Sequence, residues 1–330
     1  MKKTIRILVL LLLFTACNSG HQESEIIDSQ ISDTNQEEEI ADILYTQYPL
    51  AFLSKGELYF YNFDDAEKVK FEEESSAIIN FSFDTEGKIL YYNVEHDNSL
   101  WLKSANINEP NPTPELVVDW KLKKDDCITE TYDEESPLIF TDGKLIMQYG
   151  FSWETYNFTK MAIYSINNNK INRKEYDYRF IQKSSGELTI NNEDKYIQKT
   201  DNQLYYIYNK AKNCLTDKLD FEALRIKENE DYWVDIDFCS FSLSPDKTKI
   251  LFGAILEYGD LPHGHYCIAN TNGSNQMILK QTDLGSNKNP IWLKSNSLVF
   301  VDQKNNLYMA DNDKNSIQKI AENVTFYAAR

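Results

Sequence analysis

A series of short, irregularly spaced β-type runs constrains this chain more than any other feature. They are Leu58-Tyr-Phe-Tyr61, Ile89-Leu-Tyr-Tyr92, Leu145-Ile-Met147, Leu204-Tyr-Tyr-Ile-Tyr208, Ile250-Leu-Phe252 and Leu298-Val-Phe-Val301. Each is rich in aromatic or β-branched residues, which suit a pleated, half-buried surface. Polar turns with Gly, Asn, Asp or Ser separate them, the pattern of an all-β meander. Helical periodicity after Thr46 is confined to a weak stretch around Phe221–Glu228.

Several runs extend into a longer repeat. Residues 79–92 align with 238–252, residues 290–300 follow the same plan, and residues 137–147 form a more degenerate copy. Each copy reads as an alternating strand, a tight polar turn and a second apolar strand. A third strand then follows, as in Ser99–Lys103, Lys160–Tyr164, Tyr266–Asn270 and Asn306–Ala310. The spacing approaches the ~40–50 residues of a propeller blade.

Phe241-Ser-Leu-Ser-Pro-Asp-Lys247, then Ile250-Leu-Phe252, then Ile268-Ala-Asn-Thr-Asn-Gly-Ser274 resembles the repeat of TolB-like β-propellers. Lys247-Thr248 stands where that family has Gly-Lys, and Asn272-Gly273 where it has Asp-Gly. The resemblance implies an all-β fold, a β-propeller of about six four-stranded blades, with seven blades or an open two-sheet domain as alternatives. It also implies service in a cell-envelope protein complex, and it supplies no catalytic residues. The six segments run approximately over 48–72, 77–122, 132–175, 178–219, 234–280 and 288–320. The first is one strand short, and Val324–Ala329 is left over at the other end. Pairing of these two would close the ring and remove exposed sheet edges.

The N-terminus carries a different signal. Lys2, Lys3 and Arg6 precede an apolar run over Ile7–Phe14, then Thr15-Ala16 and Cys17. This is the layout of a secretory leader, and the run is shorter than the ~20 residues of a membrane-spanning helix. The cysteine after it resembles the lipobox of bacterial lipoproteins, with Phe14 where Leu is usual. That resemblance implies cleavage after residue 16 and acylation of Cys17, hence a lipid anchor in the cell envelope, probed by Cys17→Ser below. Residues 17–46 are polar and acidic, with Gln36-Glu37-Glu38-Glu39 near the end, and read as a flexible tether. The folded domain is expected over 47–330.

The formal charge is −18, and −21 without residues 1–16. A surface this acidic repels nucleic acid, which needs clustered Lys and Arg. Cys127, Cys214, Cys239 and Cys267 lack metal-finger spacing; buried free thiols are favoured over disulfides, whose three pairings the sequence leaves open.

In a four-stranded blade, the connections between second and third strands and the links between blades share one end. In this chain those connections are the long ones, and long loops on a rigid scaffold are where binding residues sit. The candidate binding face therefore comprises Trp153, Glu154, Tyr156, Tyr232, Trp233, Asp235, Asp260, His263 and His265. Flat rings beside carboxylates suit a sugar, and the family resemblance puts a protein partner first. No cofactor or metal is expected: His263 and His265 flank one glycine, and no third ligand is specified. There is no Gly-x-Ser-x-Gly elbow and no phosphate loop, so the expectation is a non-enzymatic binding module. A glycan-active alternative would use Asp231, Asp235, Asp237 and Glu154.

Overall fold

The computed structural model describes residues 43–124, 131–132, 136–152, 157–175, 196–200, 203–208, 210–221, 236–258, 261–284 and 289–330. These belong to one compact unit, Asp42–Arg330. A 3₁₀ turn, Tyr45–Gln47, leads into strands. Tyr45 is buried and Ile43 packs against the same core.

The strands form antiparallel sheets in chain order. The first sheet holds β1 (Leu50–Ser54), β2 (Glu57–Tyr61) and β3 (Lys68–Lys70). The second is β4 (Ile78–Phe83), β5 (Ile89–His96), β6 (Ser99–Asn106) and β7 (Glu115–Asp119). A short parallel pair, β8 (Lys123–Lys124) and β9 (Thr131–Tyr132), lies in the following link. The third sheet is β10 (Leu138–Thr141), β11 (Lys144–Ser152), β12 (Asn157–Ser165) and β13 (Lys170–Glu175). The fourth, among the described residues, is β14 (Ile197–Thr200), β15 (Gln203–Tyr208) and β16 (Ala211–Cys214). The segment expected to open it, 178–195, lies outside the described residues, as do residues 222–228 of the weak helical stretch.

The fifth sheet is β17 (Ile236–Leu243), β18 (Lys249–Tyr258), β19 (Leu261–Asn270) and β20 (Met277–Leu279). The sixth is β21 (Ile291–Trp292), β22 (Leu298–Val301), β23 (Leu307–Asp311) and β24 (Ser316–Ala321). The last strand, β25 (Val324–Ala329), returns to the first sheet, whose order is β25-β1-β2-β3. Leu50 faces Ala329 and Phe52 faces Tyr327 in that pairing. The fold is thus the expected all-β propeller, its ring closed by the N- and C-terminal strands.

Among the described residues, apolar cores join five neighbouring pairs of sheets, as stacked blades require. Phe60, Phe71, Phe81, Phe83 and Tyr92 fill the seam between the first and second sheets. Leu102, Trp120, Leu145 and Met147 fill the next. Leu204, Phe238 and Phe252 join the fourth to the fifth, and Ile268, Leu298 and Phe300 the fifth to the sixth. Phe52, Val299, Val301 and Tyr327 join the sixth back to the first.

The innermost strands β4 and β17 both carry a bulge, between Ile78 and Asn80 and between Cys239 and Ser242. The extra residue lets side chains three apart share a face. Ile78 with Phe81, and Phe238 with Phe241, therefore point into the same seam. The turns that follow are sharp. Gly87 takes φ +69°, and Lys247 takes φ +63° at the equivalent place, a conformation glycine adopts with less strain. Asp84 Oδ1 accepts from the Lys88 and Ile89 N–H groups in the first turn, and Asp246 Oδ1 from Thr248 in the second.

Candidate functional site

The strand directions decide which connections share an end of the ring. Ser152 pairs with Asn157 and Tyr258 with Leu261, so residues 153–156 and 259–260 join strand ends on the link side. Ile236 opposes Leu256, so the chain approaches β17 from that side too. Trp153, Glu154, Tyr156, Tyr232, Trp233, Asp235 and Asp260 themselves lie outside the described residues, as do Cys17, Cys127 and Asp231. His263 lies in β19 opposite Leu256. His265 is half-buried, with Nδ1 2.7 Å from the Thr282 carbonyl oxygen, which fixes the ring against the link to the sixth sheet. Asp237 pairs with Lys199 at 3.5 Å across the fourth and fifth sheets.

The described part of this face has a built acidic corner that sequence reasoning missed. It grows from the run Glu72-Glu73-Glu74 in the link between the first and second sheets. Glu74, with a side chain only 3% exposed, accepts from Lys103 Nζ at 2.6 Å and Tyr92 Oη at 3.0 Å. Its other oxygen accepts from the Ser76 N–H at 2.9 Å. Burial works against the charge, yet Lys103, the Ser76 N–H and Tyr92 together hold this carboxyl below the usual carboxylate range. Beside it, Tyr45 Oη donates to Glu73 at 2.8 Å, and burial followed by that carboxylate pushes the phenol upward. On the adjoining hairpin the His96 ring lies against Trp101, centroids 3.8 Å apart. Both Glu74 oxygens are thus taken within the domain, and the corner acts as an internal lock at the root of the link.

The roots of the next link are held by a buried amide chain. Asn80 Nδ2 donates to the Ser136 carbonyl at 2.5 Å, and Asn93 Nδ2 to Asn80 Oδ1 at 2.7 Å. Trp120 Nε1 donates to Asn93 Oδ1 at 2.8 Å, and Arg173 Nη2 to the Trp120 carbonyl at 2.6 Å. Trp120 and Ser136 bracket residues 121–135, so this chain fixes where the link departs and returns. Both asparagines are fully buried, where a polar group is costly unless paired.

Cys214, Cys239 and Cys267 are free thiols; Cys267 is buried as expected, whereas Cys214 and Cys239 are only half-buried. Burial pushes the Cys267 thiol far up, so it stays protonated. Among the described residues, no cluster of His, Cys, Asp or Glu is arranged to hold a metal. No described helix is long and apolar enough to cross a membrane.

No family model matches this chain, and no curated protein matches it. Solved structures do. TolB from Acinetobacter baumannii aligns at 12% identity and TM-score 0.42, over 84% of this chain and 65% of that one. The chain thus spans a little under two thirds of that structure's length. A putative 6-phosphogluconolactonase from Bacteroides uniformis aligns at 8% identity and TM-score 0.39, over 84% of this chain and 98% of that one. The fold assignment rests on the strand pairing itself.

Proposed function

We propose that this protein is an exported, lipid-anchored propeller that binds a protein partner through the link face and performs no chemistry of its own. The observation that supports this most is convergence. The strand ends bracketing residues 153–156 and 259–260, and the start of β17, share one end of the ring. The acidic corner at Glu74 and the pinned roots at Trp120 and Ser136 belong to the same set of connections. A rigid scaffold presenting several loops together recognises a large surface more readily than a small molecule. Anchoring through Cys17 would keep that surface at the cell envelope.

The test is mild cross-linking of the full chain in its native membrane, followed by capture and identification of bound protein and glycan. A reproducible protein partner, lost in the Trp153→Ala/Trp233→Ala variant, is the expected result. Glycan enrichment without protein would replace this reading with carbohydrate recognition and make the link-face acids worth assaying for hydrolysis. Cys17→Ser should move the protein to the soluble fraction; unchanged membrane retention would overturn the anchor.

A further inference from the structure

We propose that Asn272 is a self-modification site, at the end of the ring away from the link face. Its side-chain amide is lost spontaneously, and the product that lengthens the main chain unlocks the joint between the fourth and fifth sheets. Asn272 is the one asparagine of the sequence that precedes a glycine. A side chain on the following residue obstructs the reaction, and glycine has none.

The chemistry needs nothing beyond water. The Gly273 nitrogen gives its proton to solvent base and attacks Asn272 Cγ. The new C–N bond closes a cyclic imide as the side-chain nitrogen takes up a proton and leaves as ammonia. Water then opens the imide at either carbonyl. One opening gives aspartate; the other gives isoaspartate, whose main chain runs through the side chain and is longer by a methylene.

The turn between β19 and β20 both presents this pair and restrains it. Asn272 is exposed. Its Oδ1 accepts from the Ser274 N–H at 3.0 Å and from Ser274 Oγ at 2.7 Å, donors placed to stabilise the negative charge that forms there during attack. Asn62 and Asn106 also accept from the N–H two residues on, but Phe63 and Ile107 follow them. The brake is on the nucleophile. Gly273 N–H donates to the Asn270 carbonyl at 2.8 Å, and that bond must open before the nitrogen can turn toward Cγ.

The same turn is gripped from both sides. A Cβ added at Gly273 would collide with the Cys214 carbonyl oxygen, so here the main chain of the fifth sheet rests directly on that of the fourth. Gln276 Nε2 donates to that carbonyl at 3.1 Å, and Gln276 Oε1 accepts from the Lys218 N–H at 2.8 Å. From the sixth sheet, Asn312 Nδ2 donates to Asn270 Oδ1 at 3.0 Å and to the Asn275 carbonyl at 3.1 Å. Aspartate at 272 keeps the path of the main chain and an Oδ1 for Ser274. Isoaspartate inserts its methylene next to Gly273 and pushes the turn off Cys214.

The test incubates the full chain at mildly alkaline pH, native and in urea, and follows its peptides by mass spectrometry with aspartate and isoaspartate separated by chromatography. In urea, Asn272 should convert ahead of every other asparagine. In the native protein its conversion should be measurable but at least about tenfold slower, because the turn opens only part of the time. Protein carrying isoaspartate should lose hydrogen-exchange protection at the Asn270 and Lys218 amides, which bond within the joint. Asn272→Asp should exchange like the wild type. Equal rates in the two conditions, no native conversion, or another asparagine converting first in urea would overturn the proposal. So would isoaspartate protein that exchanges like the wild type, or Asn272→Asp that loses the same protection. None of these readouts involves the link-face partner, so the two readings fail separately.

Discussion

The two faces of the second sheet are packed in opposite ways. Toward the first sheet, Ile78, Phe81, Phe83 and Tyr92 join Phe60 and Phe71 in an aromatic seam. Rings meet there edge-on, as Phe71 and Tyr92 do with centroids 5.9 Å apart. Toward the third sheet, Asn80 and Asn93 interrupt the apolar packing with a chain of hydrogen bonds ending at Trp120 and Ser136. The connections differ in step with the seams. Phe71 to Ile78 is a short link, whereas the next runs from Trp120 to Leu138. Apolar contact is non-directional and is enough to stack two blades across a short link. Holding the two roots of a long link needs directional bonds, and their burial cost is met because every amide on the path has a partner.

The largest effect expected from this contrast is in the aromatic seam. Phe81→Ala removes a fully buried ring and should lower stability by about 3–5 kcal/mol, read from urea denaturation. A loss below ~1 kcal/mol would mean the seam collapses around the gap and is not closely packed.

Asn93→Ala should cost somewhat less, about 2–3 kcal/mol, because it leaves Trp120 Nε1 and Asn80 Oδ1 without partners. Trp120→Phe in the same background should then cost less than it does alone, since the orphaned donor is gone. Strict additivity of the two changes would dissolve the idea of a connected chain. Hydrogen exchange adds the link-specific readout: Asn93→Ala should loosen the amides around Lys123 and Tyr132 more than Phe81→Ala does.

The smallest effect belongs to the charged lock at the rim of the aromatic seam. Glu74→Gln should cost about 1–2 kcal/mol at neutral pH, since charge-assisted hydrogen bonds weaken. The sign with pH follows from its lowered carboxyl. Its contribution is present above the unfolded value of 4.5 and fades as pH falls through the lower folded value. Wild type should therefore lose stability faster than Glu74→Gln as pH drops below 4.5. Parallel pH profiles would show that Glu74 is not held charged by Lys103.

The sequence made the strand pairs and tight turns legible because both are local: alternation over a few residues and Asp, Gly or Asn at the bend. Ring closure was legible from a deficit and a surplus, one strand missing at Leu50–Lys70 and one spare at Val324–Ala329. The bulges were not, because Ile78 and Phe81 at a spacing of three break the alternation that marks a strand face. The amide chain was hidden for a similar reason. Asn80 and Asn93 belong to a residue type that usually marks turns, and only the meeting of two sheets shows them as buried partners. The acidic corner left a trace in Glu72-Glu73-Glu74, but in a chain so rich in acids that run looks like solvated surface. Glu74 became distinctive only beside Lys103 and Tyr92, which lie far from it in sequence.

The return of β25 to the first sheet also sets an order in time. The strand that lies innermost in that sheet follows every other strand of the ring in the chain. Until Val324–Ala329 has emerged, β1 keeps an open edge and Phe52 lacks its partner Tyr327. Pairings between residues so far apart are slow to form, because the loop between them must be closed before the contact rewards it. Ring assembly should therefore finish in a late, slow step that joins the two ends of the chain, and an interrupted chain would stall as a row of blades with its first sheet unfinished.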